Sequence, residues 1–275
     1  VRVRVPASTA NLGPGFDALG MALDLCADLG IASAGDVPDG ARVEGPGHPA
    51  VVAFRAGGGV GELWVRSPIP SGRGLGFSGA MRVGGVVAAF VQRGLDVTER
   101  SVRAEIVAIA ERLEGHADNV AASLHGGVVA TAGGCVVDVP LAIAPAVLAW
   151  VPSFTTSTDA SRACLGATVS HADAAFNVGR TALLVAALAA GDVTVLRTAT
   201  QDRLHQDARL AAAAASRDAL DAGLAAGAWC GWLSGSGPTI VLLCAAADAA
   251  AIAAALPGGA DVKRLTIDRA GTTVL

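Results

Sequence analysis

The sequence has no run of basic residues, no closely spaced cysteine pair and no Gly-Lys-Ser/Thr. Each absence removes a class of function. Charged residues make up only 16% of the 275 and the formal net charge is −4, so the electrostatic footprint of a nucleic-acid binder is missing. Any anion must then be held by local geometry. The cysteines Cys26, Cys135, Cys164, Cys230 and Cys244 are scattered. That spacing argues against a disulfide framework or a structural zinc site, and for reduced thiols in a cytoplasmic protein. The first residues, Val1-Arg2-Val3-Arg4-Val5, alternate like a strand and lack the apolar core of a signal peptide. Residues 222–247 carry no charge, but they contain five glycines and Pro238. Such an interrupted backbone would not be satisfied in lipid, so no membrane span is predicted.

What is present is apolar. Hydrophobic residues make up 52% of the chain, enough for a sizeable core, and the length suits about two domains. Strands are predicted at Val1–Val5, Met21–Ser33 and Glu62–Arg66, and a helix over Phe77–Arg93, whose Met81, Val83, Val86, Val87 and Phe90 share a face. Thr98 is placed as the N-cap of a helix running to Leu113. A hairpin is expected from Gly126–Thr131 and Cys135–Val139, turning at Gly133-Gly134. The second half reads as a strand at Ala146–Val151, helices at 157–165, 171–190 and 208–226, strands at 228–233 and 239–244, a helix at 246–255 and a strand at 261–267. This order is that of an α+β fold, divided near Pro140–Pro152 into domains 1–145 and 146–275.

Three distant segments read together as a phosphate-handling site: Pro6 to Asp17, Pro70 to Ala80, and Ser234 to Thr239. The central one runs Pro70, Ser71, Gly72, Arg73, Gly74, Leu75, Gly76, Phe77, Ser78, Gly79, Ala80, straight into the apolar helix. Glycines allow a sharp backbone in which N–H groups point into one hollow. The helix start adds free donors and partial positive charge, an arrangement suited to a polyphosphate. Ser78, in the first helical turn, is suited to touch a phosphate or a Mg²⁺ ion. The segment is neither a Walker loop nor a dinucleotide fingerprint.

The three segments, in this order, resemble the three motifs of the GHMP kinases, and most closely those of the homoserine kinase branch. Leu113 to Ala121, Ser157 to Arg162 and Asp202 to Arg209 extend the resemblance over nearly the whole chain. It implies a two-domain GHMP kinase fold, with an N-terminal domain like the second domain of ribosomal protein S5 and a ferredoxin-like C-terminal domain. It further implies transfer of the γ-phosphoryl group of MgATP to the side-chain hydroxyl of L-homoserine, a step in threonine biosynthesis. Dimers are common among such relatives, so a homodimer is compatible with it.

The resemblance also assigns residues. Arg162 and Arg209 match the arginines that bind the substrate carboxylate, for which a guanidinium fork is well shaped. Asn11, Asp17, His116, Asn119 and Gly235 match the amino-acid end of the pocket. Glu114 is the candidate Mg²⁺ ligand with Ser78, and Glu111 is its fallback. Asp17 and Asn119 are the candidate catalytic residues, Asp17 as a positioning group, because a loose phosphoryl-transfer transition state depends mainly on alignment and charge stabilisation.

Three departures stand out. Phe77 replaces the first of two serines usual after Gly-Leu-Gly, Asp207-Ala208 replaces a usual Pro-Tyr, and no Asn-containing helix is legible in His48 to Val52. Two alternatives therefore accompany the leading reading: a GHMP kinase acting on another small alcohol such as a cyclitol, and a non-catalytic protein that lost ATP affinity through Phe77.

Overall fold

The computed structural model describes residues 1–32 and 37–275, so Ser33, the last residue of one predicted strand, lies outside the described residues. Two antiparallel sheets organise the chain. The first holds β1 (Arg2–Ala10), β2 (Leu19–Ile31), β3 (Arg42–Val43), β4 (Leu63–Arg66), β5 (Val128–Ala132) and β6 (Cys135–Val139). β2 is long enough to serve two partners besides β1. Its start pairs with β5 and its end with β4. Gly133 and Gly134 take φ of 54° and 78°, the left-handed pair that closes a tight β5–β6 hairpin.

Helices α2 (Phe77–Gln92) and α4 (Asp118–His125) pack on this sheet, and α1 (Pro49–Ala56) and α3 (Arg100–Glu114) pack against α2. α2 is buried along most of its length, with Met81, Val83, Val86 and Phe90 fully inside. Its glycines let neighbours close in: a Cβ on Gly85 would overlap the Ala50 carbonyl of α1.

The second sheet is β10–β7–β9–β8, from β7 (Ala146–Pro152), β8 (Cys230–Leu233), β9 (Ile240–Cys244) and β10 (Ala260–Leu265). Between β7 and β8 lie α5 (Thr158–Ala163), α6 (His171–Ala190), α7 (Leu196–Ala199), α8 (Gln206–Ala211) and α9 (Ala214–Ala225), and α10 (Ala249–Ala255) joins β9 to β10. Numbered within the sheet this is order 4-1-3-2 with a βαββαβ course, the ferredoxin-like arrangement. Both faces are covered. Val147, Ala149 and Val151 join the main core, while Leu148 and Trp150 face the cluster containing Ala219 and Ile252. Burial on both sides explains the near-continuous apolar runs of β8 and β9. The expected GHMP kinase architecture is therefore the observed one.

Several local expectations need correction. Thr98 does not cap α3. Glu99 is the N-cap without a side-chain bond, and Thr98 instead donates to Asp96 Oδ1 at 2.6 Å. The segment at His48 is helical after all: His48 Nδ1 accepts from Ala50 N at 3.2 Å, and Pro49 opens α1, the position where its missing N–H costs nothing. The predicted helix 208–226 is two helices, broken at Ala212–Ala213. The two helices are held separately: Asp202 Oδ2 accepts from the N–H groups of His205 and Gln206 at the start of α8, and Ser216 Oγ of α9 donates to Pro238 O, so alanine propensity yields to their tertiary placement. The C-terminal end also leaves its own lobe: β11 (Thr273–Val274) pairs with β1 in the first sheet, and Ile267 bridges to Leu23.

α6 is long and apolar enough by composition to cross a bilayer. Asn177 Nδ2 and Thr181 Oγ1 on it both donate to Pro14 O, at 3.1 Å each, which ties this helix to the turn following β1.

Candidate active site

β1 delivers the chain into a turn, Asn11 to Asp17, where Asn11, Leu12 and Asp17 have φ of 69°, 46° and 56°. Non-glycine residues occupy this region only when their surroundings over-determine it, and here they do. Asn11 Oδ1 accepts from Asp17 N at 3.1 Å, Asn11 Nδ2 donates to Gly235 O at 3.2 Å, and Gly235 N donates to Ala10 O at 3.2 Å. Gly13 lies so close to Thr200 that a Cβ would overlap its carbonyl oxygen. Burial lowers the pKa of His205. Its Nε2 lies 2.8 Å from Gly13 O and its Nδ1 3.1 Å from Arg209 Nη1. Arg209 can only donate, so the proton of the ring is on Nε2.

The glycine-rich loop is a backbone hollow. Gly72, Gly74 and Gly76 take φ of 67°, 77° and 65°, alternating with Arg73 and Leu75 as in an anion-binding nest. Gly76 is the N-cap of α2 and makes no side-chain cap, so the first helical N–H groups remain available to a ligand. Leu75 is fully buried and anchors the loop. Arg73 turns away from the hollow and donates to Pro152 O and Ser153 O at 2.9 and 2.8 Å. Thr156 N adds a bond to Gly72 O at 3.0 Å.

The third segment locks on from the opposite lobe. Ser234 Oγ lies 2.6 Å from Gly74 O and 2.8 Å from Thr9 Oγ1, and Trp232 Nε1 donates to Thr9 Oγ1 at 2.9 Å. A serine hydroxyl has one proton and the carbonyl can only accept. The relay must therefore run Trp232 to Thr9 to Ser234 to Gly74.

These pieces enclose a cleft of about 260 Å³. From the loop it is lined by Pro70, Ser71, Gly72, Gly74, Gly76, Phe77 and Ser78. Glu114, His116 and Asn119 form a second side, and Thr156 to Thr158 with Gly235 to Gly237 a third. Ser78 Oγ donates to Glu114 Oε2 at 2.8 Å, and Arg82 Nη1 donates to the same oxygen. Asp118 Oδ1 lies 3.0 Å from His116 Nδ1 and accepts from Asn119 N at 2.7 Å, while Asn119 Oδ1 accepts from Ser8 Oγ at 2.9 Å. Gly79 and Ala80 are buried inside α2 and contribute backbone only.

The other named residues lie beside this cleft. Asp17 shares an adjoining groove with His116. Its carboxylate meets Arg162 in a two-bond pair at 2.7 and 3.0 Å, which raises the Arg162 pKa further. Arg209 is buried and donates to Ser161 O and Gly235 O at 3.2 and 3.1 Å. Burial, and then the charge of Arg162, lower its pKa. Both guanidinium groups lie over the Phe16 ring, 5.5 and 5.2 Å from its centre, and the ring stacks on His205 at 5.2 Å. Arg82 lies outside the sequence motifs, and Ser8, Phe16 and Asp118 lie inside motifs that assign them no role. For Arg82 the available signal was its spacing, one helical turn beyond Ser78.

Ser78 and Glu114 supply two hard oxygens beside the hollow, the donor chemistry Mg²⁺ prefers. Among the described residues no group of three or more His, Cys, Asp or Glu gathers to hold a metal. Any such ion would need the remaining ligands from a bound nucleotide and water.

A phosphate hollow at a helix start, roofed by a loop from a second, ferredoxin-like lobe, defines a small-molecule kinase of the GHMP type. Residues 48–127 match the GHMP kinases N terminal domain and residues 184–259 the GHMP kinases C terminal domain. The homoserine kinase of Desulfitobacterium hafniense is 41% identical over 268 residues, covering 88% of this chain and 86% of that one. That of Moorella thermoacetica is 40% identical over 260 residues, again covering 88% and 86%. The crystal structure of homoserine kinase from Cytophaga hutchinsonii superposes with a TM-score of 0.85 at 26% identity, over 100% of this chain and 97% of that one. The chain belongs to the homoserine kinase family.

Proposed function

We infer that the protein transfers the γ-phosphoryl group of ATP to the side-chain hydroxyl of L-homoserine. The products are O-phospho-L-homoserine and ADP, and the reaction is a step of threonine biosynthesis. One observation beyond family membership carries this reading: the phosphate hollow of Gly72 to Ser78 adjoins grooves that share its lining and reach a two-arginine, one-carboxylate cluster, by way of His116 to Asp17 and by way of Thr156 and Ser236 to Arg209.

In this reading the segment Pro70 to Ala80 holds the triphosphate through its free N–H groups, Arg162 and Arg209 take the substrate carboxylate, and Asp17 takes its ammonium. Asn11, His116, Asn119 and Gly235 shape the acceptor end. Ser78 and Glu114 hold Mg²⁺, which when bound supplies charge neutralisation to the phosphates. The acceptor oxygen forms the new P–O bond as the bond to the bridging oxygen of ADP breaks. Asp17, Glu114 and Asp118 are each already engaged by hydrogen-bond donors, so catalysis rests on alignment. The hydroxyl proton leaves late, to a phosphoryl oxygen or to water.

The division into 1–145 and 146–275 belongs to the same reading, with residues 266–275 returning to the first lobe. So do a cytoplasmic location and a homodimer, the latter checked by light scattering. The direct test is a coupled ADP-release assay with L-homoserine against other small alcohols. Turnover with L-homoserine that collapses in Arg162→Ala and Arg209→Ala supports the reading. Preference for a neutral alcohol, indifferent to both substitutions, refutes it.

A further inference from the structure

Ser78 and Arg82 sit one turn apart on the same face of α2, and both donate to one oxygen, Oε2, of Glu114. The other oxygen, Oε1, takes no hydrogen bond among the described residues. Arg82 does not line the cleft, whereas Ser78 and Glu114 do, so the guanidinium approaches the carboxylate from outside the ligand space. Its position is not explained by its own bonding: Arg82 Nε is buried without a partner.

Charge explains it better. Glu114 ends α3 at its C-terminus, where the partial negative charge of the helix disfavours a carboxylate. The Glu114 side chain is only 10% exposed, so an uncompensated anion there would be costly. A guanidinium at Oε2 brings the local charge close to zero, and it does so without covering Oε1. A divalent ion approaching Oε1 alone would then meet a nearby cation and little net attraction. The same ion arriving with a triphosphate brings its own excess of negative charge and additional oxygen ligands.

We propose that Arg82 is a positioning residue that keeps Glu114 charge-compensated, so that the carboxylate takes a divalent cation only together with the nucleotide. The proposal rests on the reading of Ser78 and Glu114 as the metal site. It makes metal and nucleotide binding mutually dependent, and that dependence is reciprocal.

The test uses Mn²⁺ as probe, followed by electron paramagnetic resonance at pH 8 in the full-length protein, with and without a non-hydrolysable ATP analogue. Nucleotide-free wild type is expected to bind Mn²⁺ weakly. Arg82→Met is expected to bind it about 10-fold more tightly without nucleotide, with a correspondingly smaller enhancement by the analogue. Arg82→Gln keeps a hydrogen-bond donor but removes the charge, and should share the gain; it carries the test if Arg82→Met does not fold. An unchanged or weakened Mn²⁺ affinity in these variants means that Arg82 only braces the α2–α3 contact or orients the ligand, and overturns the proposal. Glu114→Gln separates the two readings. If Mn²⁺ still binds the analogue complex with wild-type affinity in that variant, the metal-site assignment itself has failed.

Discussion

The carboxylate of Asp17 occupies the guanidinium fork of Arg162, with bonds of 2.7 and 3.0 Å between residues 145 positions apart. In the proposed reading that fork binds the substrate carboxylate, so an incoming amino acid would compete with Asp17 for it and release Asp17 towards the ammonium. Both side chains are more than a third exposed, at 37% and 38%, where an ion pair contributes little to stability. Arg162→Ala is therefore expected to shift Tm by no more than about 2 °C while raising KM for L-homoserine by roughly 100-fold. A double-mutant cycle with Asp17→Asn should show strong non-additivity in kcat/KM, because the two residues share one exchange. Additive effects would mean that they act independently.

Phe77 replaces a hydroxyl at the lip of the hollow without closing it. The ring packs on the main core and meets His48 edge-on, 6.0 Å between centres, while the glycine N–H groups of the loop keep their geometry. Phe77→Ser should lower stability by about 1–2 kcal/mol, less than for a fully buried phenylalanine. It should change MgATP affinity by less than about threefold, since the backbone nest remains. Calorimetric titration with MgATP checks this. A wild-type protein that does not bind MgATP, rescued by Phe77→Ser, would favour the non-catalytic alternative.

Asp28 should govern acid stability at a distance from the site. It is buried, and burial pushes its carboxyl up, but hydrogen bonds from Arg4, Arg66 and Arg2 outweigh that and bring its pKa to about 2. The native pKa lies below the unfolded value, so the stabilisation is complete above about pH 4 and is lost as pH falls towards 2. Asp28→Asn should cost on the order of 2 kcal/mol at neutral pH, with unchanged kinetics. The difference from wild type in urea midpoint should shrink as pH falls from 4 to 2.

The thiols give a topological check. Cys135 and Cys164 are exposed, while Cys230 and Cys244 are buried. Burial raises the pKa of Cys26 to about 11 and that of Cys230 to about 12, leaving roughly one thiolate in a thousand or fewer at pH 8. An aromatic disulfide reagent should modify Cys135 and Cys164 in the native protein within minutes and Cys26 far more slowly. Cys230 and Cys244 should react only on unfolding. Fast reaction of Cys230 would contradict the packing of β8.

Legibility from sequence followed the range of the interactions. The loop from Gly72 to Ser78 was readable because backbone conformation there depends on glycine itself. Ser78 and Glu114, paired from sequence alone, lie 2.8 Å apart. α1 and α4 were not readable, since eight residues span barely two turns and show little periodicity. The break at Ala212–Ala213 went unseen because the alanine run favours helix, whereas the bond that fixes α9 apart from α8 comes from the distant Pro238. Arg82 belongs to no motif; only the meeting of α2 with the end of α3 gives it a carboxylate.

Gly74 couples the two lobes, and its substitution is the sharpest test of the site's assembly. Its φ of 77° already disfavours a side chain. A Cβ would also overlap Ser234 O and lie 3.0 Å from Gly237 O, and both of these are backbone atoms that cannot rotate aside. Gly74→Ala must therefore push the Ser234–Gly237 loop off the phosphate hollow and break the Ser234 bond to Gly74 O. The cores of the two lobes do not depend on that bond. The variant is expected to fold with a Tm lowered by several degrees and to lose about 100-fold or more in kcat/KM, as for a small misplacement of catalytic groups. Ser234→Ala removes the hydrogen bonds with Gly74 O and Thr9 Oγ1 without displacing the backbone and should cost about 10-fold or less. If Gly74→Ala kept wild-type turnover, the contact between this loop and the opposite lobe would have no part in forming the reactive site.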